Sequence, residues 1–285
     1  MNRSTQLFRT ADLSLHRFDH PTGEAHHDPD GEVADGWSIA FVQRGGFTVE
    51  VGPARVELGA GSVVIHRPGL QFRCRHHNEC PDDVCLSINY TPEAVGTADG
   101  AWARAGWFAR RLPTPRLAFI ERRLAEAAEG GDGFQLERWG LAGLIALAGD
   151  AREGAARGPY APRRDDLDAV LVTCRAIEAD PTARRTIAAR ARDVGMTGPR
   201  LTHAFRRYLG ISPPRYVVRW RLREATLLLD AGATVSASCW RSGFENLSHY
   251  IRSFRRGLGL LPSVWSHLPP AERRRKVQAL LHPVR

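Results

Sequence analysis

Residues 195–213, GMTGPRLTHAFRRYLGISP, and residues 243–262, GFENLSHYIRSFRRGLGLLP, decide how this chain is read, because they are two copies of one pattern. Each runs from a glycine through an apolar residue and a polar cap into a helix ending at Phe-Arg-Arg, then reaches a second glycine and a proline. The second copy carries one additional residue before its Phe. A short helical segment precedes each opening glycine, TIAARARDV before Gly195 and VSASCWRS before Gly243. Helix, glycine turn and second helix is the order of a helix-turn-helix unit, in which glycine accepts the left-handed backbone of the turn.

Thr197 is placed to cap the second helix of the first unit, and Glu245 or Asn246 that of the second. Helical periodicity puts Leu201, Phe205 and Leu209 on one face, and Tyr250, Ile251, Phe254 and Leu258 on the matching face of the other copy. The opposite faces carry Arg200, His203, Arg206 and Arg207, then Ser248, His249, Arg252, Arg255 and Arg256. A helix whose start offers polar groups to base edges while flanking arginines hold phosphates suits the major groove of double-stranded DNA. Between the units, PRYVVRWRLREATLLLDAG opens with Pro214 in a favourable first-turn position and runs to Gly232. A rigid helix of ~17 residues spans ~25 Å, which would set the two recognition helices about one duplex turn apart, roughly 34 Å.

Charge points the same way. Residues 163–285 hold 23 Arg and Lys against 10 Asp and Glu, a net of +13, so the remaining 17 basic and 21 acidic residues leave the first part at −4. Lys276 is the single lysine, and nucleotide composition alone could favour Arg over Lys, but it would not concentrate the charge in one part. Positive charge gathered in one folded unit is the footprint of phosphate binding, driven by counterion release.

Upstream, from Trp37 to Tyr90, apolar alternation broken by Gly and Pro turns predicts antiparallel hairpins closing into a sandwich or small barrel. After Pro113-Thr114-Pro115 the period changes. LAFIERRLAEAAEG and FQLERWGLAGLIALAGDA, with Gly130-Gly131 between them, predict a helical hairpin that either forms a dimer interface or packs on the β domain. The stretch from Gly154 to Arg164 reads as a linker. With 43% hydrophobic residues, no apolar run of 18 residues and no apolar signal-peptide core in MNRSTQLFRTADLS, the expectation is a two-domain cytoplasmic protein with no membrane contact. Five cysteines and no export signal exclude a disulfide framework.

The stretch from Ile187 to Trp265 resembles the DNA-binding domain of the AraC/XylS transcription regulators. The matching positions are GM-T-xxx-L-xxx-F-RR-xx-G-x-SP-xx-Y from Gly195 to Tyr216, RL-xx-A-xx-LL from Arg221 to Leu229, and GF-xxx-SHY-x-R-x-F-RR-xx-G-xx-P from Gly243 to Pro262. The resemblance implies DNA contacts from Pro199, Arg200, Thr202, His203 and Arg206, and from Asn246, Leu247, Ser248 and Arg252. The chain departs from the pattern at four places. His203 stands where the family usually has Arg, Arg190 and Ser238 stand where apolar residues are expected, and Leu261 replaces a Ser. By the same resemblance the β region is a cupin-like barrel that binds a small-molecule effector. His66 is read either as lining that pocket or as a hydrogen-bonded turn histidine. The resemblance further implies a homodimer acting with RNA polymerase, as an activator in preference to a repressor, with no cofactor and no enzymatic activity.

The expected fold class is therefore α+β, a cupin-like β-barrel with a helical hairpin, then an all-α domain of two helix-turn-helix units joined by a central helix. The expected boundaries are 1–110 for the effector-binding β domain, 111–153 for the hairpin and possible dimerisation element, 154–164 for the linker, 165–270 for the DNA-binding domain and 271–285 for a basic tail. Cys74, His76, His77, Cys80 and Cys85 form an alternative metal or thiol sensor, although the Cys-x5-Cys-x4-Cys spacing matches no common zinc site. A metal-dependent cupin enzyme would need a His-x-His motif, which His26-His27 does not provide, and a later His where Gln71 or Phe72 stands.

Overall fold

Among the described residues the chain forms ten strands: β1 (Arg3–Arg9), β2 (Leu13–His20), β3 (Glu32–Val33), β4 (Trp37–Arg44), β5 (Gly46–Val51), β6 (Ala54–Gly59), β7 (Val63–His66), β8 (Gln71–His76), β9 (Asp83–Tyr90) and β10 (Ala109–Arg110), of which β4 to β9 are the alternating apolar runs between turns. The computed structural model describes residues 3–20, 31–76, 83–97, 109–110, 114–153 and 164–281. It separates into two units, Met1–Ala161 and Pro162–Arg285.

In the first unit the strands form a six-stranded sheet, β1-β2-β9-β4-β7-β10, and a four-stranded sheet, β3-β8-β5-β6, with every pairing among the described residues antiparallel. Val42, Phe47, Val49, Leu58, Val64 and Cys85 form one buried cluster contributed by both sheets. β1 and β2 precede the predicted β region. β2 alternates inward at Leu13 and Leu15, but β1 is exposed along most of its length, with Leu7 38% accessible, so it carries no apolar alternation for sequence reasoning to detect.

A short helix, α1 (Pro92–Thr97), follows β9, and the hairpin is α2 (Pro115–Gly130) and α3 (Gly133–Glu153). Thr114 accepts from Leu117 N at 3.4 Å and caps α2. The hairpin packs on the sheet. Tyr90 Oη donates to Gly140 O at 2.7 Å. A Cβ on Gly140 would stand 2.8 Å from Leu13, and one on Gly143 3.0 Å from Tyr90 Oη. Glycine at both positions lets α3 lie directly on β2, β4 and β9, where Trp139, Ala142 and Ala146 are fully buried.

The second unit is helical: α4 (Arg164–Ala179), α5 (Ile187–Asp193), α6 (Gly198–Leu209), α7 (Pro213–Asp230), α8 (Val235–Arg241), α9 (Leu247–Leu258), a 3-10 turn (Pro262–His267) and α10 (Pro270–Leu281). α7 is the joining helix, and both its ends pack into cores. Tyr216 meets Phe205 edge-on and packs beside Trp220 on one side, while Leu222, Ala225 and Leu229 join Tyr250, Phe254 and Trp265 on the other. Residues 271–281, expected as part of a basic tail, belong to the packed helix α10. Val277 lies against the second core and Leu280 is buried within it, because these apolar residues recur at helical spacing among the arginines. Among the described residues no helix is long and apolar enough to cross a membrane.

Candidate nucleic-acid interface and barrel cavity

The two repeats fold as matched helix pairs. α6 and α9 each have 12 residues and end at left-handed glycines, Gly210 and Gly259. Thr197 Oγ1 accepts from Arg200 N at 3.4 Å, and Asn246 Oδ1 accepts from His249 N at 2.9 Å, so Asn246 is the cap of the second copy. Counted from these caps the helices align residue for residue, with Phe205 on Phe254, Arg206 on Arg255 and Arg207 on Arg256. The additional residue of the second copy therefore lies between the turn glycine and the cap, where it lengthens the turn and leaves the helix unchanged. His203 aligns with Arg252, so the two units present different donors at the same helical position.

The apolar faces pack inward, with Leu201, Phe205, Leu209, Tyr250 and Phe254 buried. Pro199, Arg200, His203, Arg206 and Arg207 are exposed on α6, and Ser248, His249, Arg252, Arg255 and Arg256 on α9. Two expected contact residues spend their polar or apolar groups locally: Thr202 Oγ1 donates to Gly198 O at 2.9 Å, and Leu247 packs against the second core. Arg200 is tied back. Its Nε and Nη2 both donate to Asp166 Oδ1 on α4, at 3.0 and 2.7 Å. Asp166 was not singled out from sequence, since nothing local links residues 34 positions apart.

The unusual residues of the two supporting helices are accommodated by hydrogen bonds. Arg190 on α5 is 4% exposed and its Nη2 donates to Ala183 O at 3.5 Å, beside Arg221, whose Nε donates to Pro181 O at 2.8 Å. Ser238 on α8 is fully buried, donating to Val235 O at 2.9 Å and lying 2.9 Å from Tyr250 Oη. A buried hydroxyl thus replaces an apolar contact between the two helices of the second unit with a hydrogen bond. Leu261 is exposed and opens the 3-10 turn without a side-chain cap bond.

In the first unit the two sheets enclose a cavity of about 440 Å³. Strand alternation selects its walls: Phe72, Cys74 and His76 are successive same-side residues of β8, and Cys85, Ser87 and Asn89 of β9. His66 also lines it. Its Nδ1 lies 2.9 Å from Ser38 Oγ, its ring stacks on Phe72 at 4.6 Å, and its buried Nε2 has no partner among the described residues. Burial holds the His66 pKa down at about 4, so the ring is neutral near pH 7. The Cys85 thiol is pushed up to about 12, by burial first and then by the Asp83 carboxylate, which keeps it protonated and unreactive. His76 Nε2 lies 3.4 Å from Asp83 Oδ2. Of the candidate sensor cluster, Cys74, His76 and Cys85 thus share the cavity, while His77 and Cys80 lie outside the described residues. Among the described residues no three His, Cys, Asp or Glu side chains are grouped to hold a metal ion. Ser38, Ser87 and Asn89 were not anticipated, although the period-2 pattern that exposes Cys85 to the cavity would also have placed Ser87 and Asn89 there.

Residues 190–267 match the family described as a helix-turn-helix domain. The regulatory protein Ada of Salmonella typhimurium is 30% identical over 94 residues, 33% of this chain. The match spans about a quarter of that relative, 26% of its length. A probable AraC family transcriptional regulator from Rhodopseudomonas palustris is 34% identical, covering 35% of this chain and 95% of its own, with a TM-score of 0.34. The fatty-acid-bound ToxT of Vibrio cholerae covers 95% of this chain and 99% of its own at 14% identity and a TM-score of 0.39. Given the motif series of residues 195–262, the two capped and arginine-faced helices it builds and the family match across residues 190–267, the C-terminal unit belongs to the helix-turn-helix domain of AraC/XylS-type regulators.

Proposed function

We propose that the chain is a sequence-specific DNA-binding transcription regulator whose β-barrel cavity takes a small-molecule effector. The observation that carries the reading is the pair of recognition helices, equal in length, in register from their caps and both ending in exposed Arg-Arg pairs. A helix needed solely for packing has no use for a free face of this charge, whereas two such faces joined by α7 suit successive major grooves of one duplex. The 18 residues of α7 support that spacing, since 1.5 Å per residue gives ~27 Å along the helix. In the first unit, the cavity between the sheets, with a buried imidazole nitrogen that has no partner among the described residues, supports a ligand site. The reading extends to a homodimer on paired half-sites.

Fluorescence anisotropy against a selected promoter library at several salt concentrations tests the reading. Binding that prefers particular sequences and weakens steeply with salt is expected. Binding without sequence preference, or none, would overturn it. A reporter fused to a recovered site then shows whether transcription rises, the expected direction, or falls.

A further inference from the structure

The cavity wall combines the rings of Phe18, Phe47 and Phe72 with the carboxylates of Glu32 and Asp35, and among the described residues its lining includes no lysine or arginine. An anionic ligand would be desolvated there without a counter-charge, which is strongly unfavourable. A cation is attracted by aromatic faces and by the carboxylates. The neutral state of His66 adds no opposing positive charge, and its Nε2 offers a further hydrogen bond inside the barrel, while the second imidazole of the wall, His76, lies 3.4 Å from the Asp83 carboxylate. Asp35 is exposed, while Ser38, at the His66 side, is buried, so the wall grades from a charged mouth to a neutral interior.

We propose, resting on the effector reading above, that the cavity takes an amphipathic organic amine, its apolar body among the phenylalanine rings and its protonated amino group facing Asp35 and Glu32. The site is thereby set against fatty and aromatic carboxylates.

The test uses the full chain, a neutral solvatochromic dye to report cavity occupancy, and three probes of nearly equal shape: 2-phenylethylamine, 2-phenylethanol and phenylacetate. The amine should bind about tenfold or more tighter than the alcohol, with phenylacetate weakest. Asp35→Asn combined with Glu32→Gln should abolish the advantage of the amine while dye uptake and alcohol affinity persist, which also shows that the variant is folded. If the alcohol or phenylacetate binds as tightly as the amine, or the amine keeps its advantage in the double variant, the charge assignment is overturned and the effector reading stands. Dye uptake with no binding of any probe likewise removes the amine class alone. Exclusion of the dye and of all three probes overturns the effector reading itself.

Discussion

Gly243 adopts φ +88°, and a Cβ there would stand 3.0 Å from Thr182 Cα and 3.1 Å from Arg221 Nε. Gly195, at the same point of the first repeat, has φ +67° and nothing within 4 Å of that position. Alanine at 195 therefore meets backbone strain alone, roughly 1–2 kcal/mol, whereas at 243 it also collides with the backbone that Arg221 grips. Urea unfolding should show Gly243→Ala losing about twice as much stability as Gly195→Ala, and equal losses would refute the crowding argument. The second copy carries another residue-scale constraint in the Ser238 and Tyr250 hydroxyl pair. Burial pushes the Tyr250 hydroxyl up to about 12, with the Ser238 hydrogen bond drawing it partly back. Ser238→Ala leaves that hydroxyl buried without its partner and should cost about 1–2 kcal/mol, while adding Tyr250→Phe should recover much of the loss, since removing both polar groups is far less costly than removing one. A double variant no more stable than Ser238→Ala would show that the hydrogen bond is unimportant.

At the scale of the element, α6 carries two kinds of basic residue. Arg206 and its counterpart Arg255 lie in the last turns as the first members of the two Arg-Arg pairs and suit phosphates, while Arg200 and His203 lie nearer the start and suit base edges. Arg206→Ala or Arg255→Ala should weaken binding to all sequences and lower the salt slope by about one each, whereas His203→Ala should change which sequences are preferred. Identical behaviour of all three would undo the division. Arg200 acts only after leaving Asp166, so Asp166→Asn should strengthen DNA binding severalfold by freeing the guanidinium, and the gain should vanish in an Arg200→Ala background. A gain that survives that background would assign it to lost negative charge instead. The paired helices were legible because caps, turn glycines and apolar spacing are local properties of the chain. The clamp on Arg200, the sheet under α3 and the walls of the cavity were not, because they depend on which distant strand or helix comes to lie alongside. The helix within 271–281 is hidden in the sequence for a related reason: four consecutive basic residues, Arg273 to Lys276, outweigh the apolar spacing of Val277, Leu280 and Leu281 that seats the helix in the core.

Across the whole molecule, the division into two units with separate cores makes stability a property of each unit rather than of the chain. His66 offers a way to address one of them. Its folded pKa of about 4 lies below the ordinary 6.5 because the ring is buried. Between these values the unfolded chain binds a proton that the folded barrel refuses, so the barrel is at full strength above pH 6.5 and loses stability as the pH falls towards 4. The loss should be on the order of 1–3 kcal/mol. Glu121 acts in the opposite direction, its carboxyl held above the usual range by burial despite the Gln43 hydrogen bond and nearby Arg122, so the raw pH profile mixes the two groups. The decisive comparison is therefore between the full chain and its His66→Gln variant, unfolded in urea from pH 7.5 to 4.5 with β-sheet and helix signals followed separately. The variant should flatten the acid-side decline of the β transition and leave the helical transition where it was. An unchanged decline in the β signal would show that His66 is not a buried neutral imidazole, and a matching shift in the helical signal would show that the two units do not unfold independently.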